Sequence, residues 1–196
     1  MALISKSKFL SGLQCHKLLW VHNNEKTRIP PTDPATQAIF AQGHVVGELA
    51  KKLFPDGVEV GEGLVREFEE IFAQTREALP LRRPLFEAAL EHSNAFARAD
   101  ILNPIGKDSW ELIEVKSSTE VKQVHIDDLA FQKYTFEGAG VRIRNCFLLH
   151  INNQYVRSGD IDPEQLFTKV DVTDLVANRL PQIEAELQEM IAVIEQ

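Results

Sequence analysis

Two carboxylates and a lysine, Asp100, Glu114 and Lys116, sit in a short stretch of apolar, alternating sequence. In AFARADIL, a period of two puts Phe96, Arg98 and Asp100 on one strand face and Ala97, Ala99 and Ile101 on the other. In WELIEVKSS, Trp110, Leu112, Glu114 and Lys116 share a face, with Ile113 and Val115 opposite. A carboxylate late in an apolar strand, followed two residues on by a lysine on the same face, is costly unless paired or metal-bound. If the two strands are neighbours, both acids and the ammonium converge on one spot. Metal-assisted phosphodiester hydrolysis uses such a set. Hard carboxylates hold Mg2+ or Mn2+, the ion acidifies a bound water, and a lysine steadies the developing charge. The competing reading is a solvated strand end in which Glu114 and Lys116 pair with Arg98 or Asp100. A second triplet, Glu120-Val121-Lys122, follows Ser117-Ser118-Thr119 and reads as a polar turn on the surface.

The elements that must position these residues follow from periodicity and punctuation. Ser5 caps a short helix that reads as stopping at Gly12, and a second helix covers 14–22. The proline-rich stretch 29–34 is a loop. Asp33 caps the next helix with Pro34 in its first turn, and Ile39, Val46, Leu49 and Leu53 recur at helical spacing as far as Phe54. A short strand at 58–60 and an amphipathic helix at 64–79 come next. The period then changes to two, giving strands at 85–92, 94–102 and 110–117. A helix at 124–138, a strand at 141–151, a possible hairpin at 152–154, a short strand at 169–172 and a helix from Thr173 onward complete the chain. This order predicts an α/β (α+β) fold with a mixed central sheet flanked by helices. It reads as a single domain over 1–196, with an N-terminal helical segment, 1–33, packed on it.

Composition narrows the function classes. The 196 residues carry a net charge of −8, with 44% hydrophobic and 26% charged residues, close to an average folded domain. The acidic balance argues against a general nucleic-acid coat protein, but not against an enzyme that grips nucleic acid locally. Lys51-Lys52 and Arg82-Arg83 are the adjacent basic pairs, and a solvated face explains both. No run approaches the ~20 apolar residues of a membrane helix, so no membrane partner is expected, and the N-terminal stretch lacks a signal-peptide pattern. A reducing cytoplasmic setting is the default for two distant cysteines, Cys15 and Cys146. Two cysteines also cannot build a four-thiolate iron–sulfur cluster. Phosphate-loop, dinucleotide, zinc deaminase and serine hydrolase motifs are absent.

The succession of an acidic helix, Asp on one strand, Glu-x-Lys on the next and then a helix with Gln resembles the PD-(D/E)xK nuclease superfamily. Within it, SKSKFLSGLQCHKLLW, GHVVGELAKKLFPDG, EVKSST and DDLAFQKYTFEGAGV resemble a RecB-like bacterial family on the branch that includes the CRISPR-associated exonucleases. The resemblance covers nearly the whole chain and implies a restriction-endonuclease-like core. It implies that Asp100, Glu114 and the Val115 carbonyl hold metal, that Lys116 is the catalytic lysine, and that Glu48 reaches the metal or its water. Relatives often carry a histidine on that helix. Here Gly47 occupies the usual spot and His44 lies one turn before Glu48, so either His44 or Glu48 completes the site. Gln132 matches the glutamine of a Gln-x-x-x-Tyr motif that orders the site and contacts DNA. Phe136 stands at the tyrosine position, with Tyr134 nearby and Asp128 one turn before Gln132, and an ordinary amphipathic helix explains these residues equally well. Cys15 stands where the CRISPR-associated relatives place their first cluster cysteine, and the three late cysteines are missing. Cys15 is then expected to pack against the first helices and Cys146 to be core.

The function implied is a Mg2+- or Mn2+-dependent DNA nuclease acting on ends or single strands, alone or with a partner protein or further domain of a longer parent. The alternative is a catalytically silent nuclease-fold module that binds nucleic acid or protein.

Overall fold

The computed structural model describes residues 3–61 and 68–196. The elements begin with β1 (Ile4–Ser5), α1 (Lys6–Gln14), α2 (His16–Asn24), α3 (Pro34–Lys51), β2 (Val58–Glu59) and α4 (Phe68–Ala78). The strands β3 (Leu85–His92), β4 (Ala95–Ile105) and β5 (Ser109–Lys116) follow, then α5 (Gln123–Gly138) and β6 (Ile143–Ile151). The chain closes with α6 (Pro163–Leu166), β7 (Phe167–Asp171), α7 (Thr173–Arg179) and α8 (Ile183–Ile194).

Seven strands form one mixed sheet in the order β2-β3-β4-β5-β6-β7, with β1 beside β4. The β3–β4–β5 meander is antiparallel, β6 joins β5 in parallel, and β7 returns antiparallel to β6. Ser93 and Asn94 both take positive φ (46° and 66°) at the β3–β4 turn, the conformation that matches the right-handed twist of a two-residue hairpin. Helices cover both faces of the sheet. On one side Phe9 of α1, Leu19 of α2, Leu129 and Phe131 of α5 and Met190 of α8 pack with Leu112 and Leu102. On the other, Val46 and Ala50 of α3 pack with Ile101, Ile113 and Phe86. The mixed sheet with flanking helices is the architecture expected from the alternation of periods. Among the described residues no helix is long and apolar enough to cross a membrane.

Several boundaries differ from expectation for identifiable reasons. Gly12 does not stop α1. It is buried inside the helix, where the space a Cβ would take is filled by the Met190 thioether of α8, whose sulfur lies 2.5 Å from that position. The first three elements shift accordingly, with α2 starting at His16. The α3 helix ends at Lys51, three residues short of Phe54. Its Ile39 is exposed (59%), because only the C-terminal half of α3 reaches the sheet. The expected helix start at 64–67 lies outside the described residues, and the rest of that helix is α4. β6 and β7 do pair antiparallel, but α6 intervenes in place of a tight hairpin at 152–154. The last helix is broken at Leu180–Gln182, where Pro181 removes a backbone donor.

One departure bears directly on the site. Ala97 and Ala99 pack on the same side as Leu102, whereas Ile101 packs on the α3 side. The simple alternation expected for β4 therefore changes phase around Asp100. The same break appears across the ladder, where pairing of β3 with β4 skips from Phe86↔Ile101 to Ala88↔Ala99. Glu87, in the gap, has φ 58°, a left-handed conformation that costs a non-glycine residue about 1–3 kcal/mol and tends to mark functional positions.

Candidate active site

β4 pairs along one edge with β3 over 95–102. Its other edge is shared: β5 pairs with 101–105, and β1 pairs with Ala95 and Phe96. Asp100 sits in the gap between them. β5 runs out at Lys116 on one side of this gap, and α1 starts at Lys6, directly after β1, on the other. The topology thus gathers Asp100, Glu114 and Lys116 from two consecutive strands with Lys6 from the distant N-terminal segment.

Glu114 is the centre of the cluster, with its side chain 1% exposed. Its Oε1 accepts from Lys116 Nζ at 2.5 Å and from Lys6 Nζ at 2.9 Å. Its Oε2 accepts from Gln132 Nε2 at 2.7 Å. Asp128, one turn earlier on α5 and equally buried, accepts from Lys116 Nζ at 2.8 Å and from Gln132 Nε2 at 2.8 Å. Asp100 Oδ2 accepts from the Val115 N–H at 2.7 Å. No other protein donor reaches Asp100 among the described residues. The α5 helix supplies Asp128 and Gln132 on the face it presses onto the sheet, with Ile126, Leu129 and Phe136 buried around them. Phe9 stacks on Phe131 at a centroid distance of 4.7 Å and fixes α1 against α5.

The electrostatics follow from three carboxylates and two ammonium groups in a desolvated space. Burial alone would raise the Glu114 carboxyl, yet Lys116 and Lys6 hold it well below the ordinary carboxylate range. Asp100 is pushed the other way, up to about 7, by burial first and then by the Glu114 charge, against the pull of both lysines. Asp128 is raised for the same two reasons. Burial weakens the Lys6 and Lys116 ammonium groups, but the surrounding carboxylates outweigh it and both are raised.

Above the cluster lies an open cleft of about 560 Å3, lined by Asp100, Glu114, Val115, Lys116 and Lys6 on the sheet side. The α3 helix supplies its other wall with Ile39, Phe40, His44 and Glu48, and Glu87 lines the cleft too. His44 is exposed. Glu48 is 70% exposed and accepts from Lys51 at 2.7 Å. Among the described residues no three His, Cys, Asp or Glu side chains come together in metal-holding geometry. The donor chemistry nonetheless fits a hard divalent ion. Asp100 has a carboxylate oxygen without a protein donor, and its charged form is disfavoured by burial beside Glu114, the circumstance a cation relieves.

Several expected placements differ. Gln132 is fully buried and bonds Glu114 and Asp128, so it positions the cluster and has no surface to offer to nucleic acid. Tyr134 packs edge-on against His92 at 5.5 Å and rests on the core. Arg98 pairs with Glu87 at 2.7 Å rather than with Asp100 or Glu114, so the solvated cross-strand pair is not formed. Glu120 and Lys122 are 70% and 54% exposed, as expected for a surface turn. Cys15 is exposed instead of packed, and Cys146 is buried in the core, where burial pushes its thiol up to about 12. Arg82 donates to the carbonyls of Ile105, Gly106 and Ser109 and lies over Trp110, so it fastens the β4–β5 turn.

Periodicity did not point to Lys6. A subtler signal was present: a lysine in the first turn, directly after the Ser5 cap, sits at the positive end of the helix dipole. Glu114 is the tertiary partner that offsets this local conflict.

No protein-family model matches this chain, and no curated protein matches it. Among solved structures, it is similar to an alkaline exonuclease from Laribacter hongkongensis, with 15% identity and a TM-score of 0.39. The match covers 98% of this chain and 90% of that one.

Proposed function

We propose that this chain is a Mg2+- or Mn2+-dependent deoxyribonuclease of the PD-(D/E)xK superfamily and its RecB-type branch, acting at duplex ends or on single strands. We read residues 1–196 as one such domain working in the reducing cytoplasm. One observation carries the reading: Asp100, Glu114 and Lys116 meet at the floor of an open cleft, with Lys116 held by Asp128 and Glu114 by Gln132. A hard divalent ion bound at Asp100 and Glu114 would acidify a water and neutralise phosphate charge. Lys116 orients the attacking water or stabilises charge on the phosphate oxygens. Asp128 fixes that ammonium, and Gln132 ties Asp128 to Glu114. Glu48 or His44, both lining the cleft from α3, would complete the ligand set.

A second reading is a silent nuclease-fold binding module. It is favoured by the saturation of Glu114, whose two oxygens already accept three donors, and by the net charge of −8. End-labelled single- and double-stranded DNA incubated with Mn2+ separates the two, with Mn2+ calorimetry on wild type and Asp100→Ala alongside. Cleavage and a Mn2+ site that Asp100→Ala removes support the nuclease. Binding of DNA without cleavage selects the silent module, and equal Mn2+ binding by both proteins sinks the metal assignment.

A further inference from the structure

We propose that Lys6 is a second phosphate-binding cation of the cleft, contacting a non-bridging oxygen of the phosphodiester that Lys116 acts on. This rests on the nuclease reading and extends it to a residue outside the Asp, Glu and Lys set.

Neutralising Glu114 does not require Lys6. Lys116 already bonds Glu114 Oε1 at 2.5 Å, and Lys6 crowds a second ammonium onto the same oxygen at 2.9 Å. Two like charges on one acceptor repel each other, and Lys6 holds one carboxylate hydrogen bond where Lys116 holds two, so Lys6 is the ammonium with fewer bonds to give up. Asp128 lies 3.8 Å from Lys6 and takes its own short bond from Lys116 instead.

Lys6 is also built in rather than draped over the surface. The Ile4 N–H donates to the Asn94 carbonyl at 2.8 Å, β1 pairs with β4, and the Ser5 side chain caps α1. Together with the Phe9–Phe131 stack, these contacts fix the Cα of Lys6 relative to β4 and α5. Its side chain keeps 28% exposure and lines the same cleft as Asp100 and Glu114, so its ammonium can leave Glu114 for a ligand without crossing protein.

The test compares Lys6→Met, which keeps the stem, and Lys6→Arg, which keeps the charge, with Lys8→Met. Lys8 is on the same helix but bonds Asn23 and the Leu3 carbonyl. Binding of a single-stranded oligonucleotide is titrated against salt in Ca2+, and turnover is measured in Mn2+. For Lys6→Met the log–log salt slope should shrink by about 0.7, the loss of one single-strand phosphate contact. Turnover should fall on the order of 10²-fold, while Mn2+ affinity by calorimetry stays within about twofold. Lys6→Arg should restore the slope, and Lys8→Met should leave slope and turnover unchanged. A lowered melting temperature in Lys6→Met with slope and kcat unchanged, measured where the protein remains folded, would show a purely structural ion pair and overturn the proposal. Wild-type cleavage combined with that result removes this inference alone. A wild type that neither binds nor cleaves removes the nuclease reading and this inference with it.

Discussion

Two copies of the same tripeptide lie a few residues apart in this chain, and the fold treats them oppositely. Glu114-Val115-Lys116 ends β5, which is flanked by β4 and β6, with α5 over one face and α3 over the other. Glu120-Val121-Lys122 comes after strand pairing has stopped, and Lys122 is the residue that precedes α5. The first acid is 1% exposed and accepts three hydrogen bonds. The second is 70% exposed, and its lysine stands 3.6 Å away. An exposed pair of that kind contributes about 0–1 kcal/mol, whereas removing one partner of a buried cluster costs about 3–5 kcal/mol. Chemistry therefore attaches to the strand end and its neighbours, and the Glu-x-Lys spelling by itself carries little.

The comparison can be broken most severely at its centre. Glu114→Ala leaves Lys6 and Lys116 facing each other without their shared acceptor, so it should abolish turnover and destabilise the fold by about 3–5 kcal/mol. Urea unfolding together with a nuclease assay checks this, and a stability loss under about 1 kcal/mol would mean that the buried cluster is not formed as described. Lys116→Ala is the next step down. It should lower turnover by a factor on the order of 10²–10³ and leave Mn2+ affinity nearly intact, since an ammonium is not a ligand. Calorimetry and single-turnover kinetics on one preparation separate these two effects. Lys122→Ala should be the smallest, within about 0.5 kcal/mol in stability and without measurable change in cleavage. If Lys122→Ala stops cleavage and Lys116→Ala does not, the roles of the two triplets are reversed and the register of β5 falls with them.

Legibility followed how local the determining contacts are. β3 is readable to the residue, because the apolar-rich run that starts at Leu85 is closed by the Ser93-Asn94 turn. The shared face of Glu114 and Lys116 is readable from their spacing of two in a strand, and the Asp33-Pro34 cap marks the start of α3. β1 is not readable: two residues show no period, and their partners, Ala95 and Phe96, lie far along the chain. Gly12 reads as a stop because the Met190 thioether that fills the space beside it is visible only in three dimensions. Asp128 and Gln132 have the i, i+4 spacing of an ordinary helix pair. Their burial against β5 sets them apart, and spacing alone carries no trace of it. The phase change at Asp100 escapes for a related reason, since it coincides with the left-handed Glu87 in the facing strand, which the local pattern does not show.

The bond between Lys6 and Glu114 spans 108 positions of sequence, and this separation sets an order of assembly. The β3–β4–β5 meander closes through short turns, so its ladder forms by local search, the fast part of folding. Closing the longer loop adds little free energy, about 0.6 kcal/mol per doubling of length, but contacts of such separation are the slow ones to find. The floor of the cleft should therefore form as carboxylates with one lysine before the N-terminal segment docks. Docking of β1 should then deliver the second cation as a late step, with refolding recovering sheet structure ahead of the complete cluster.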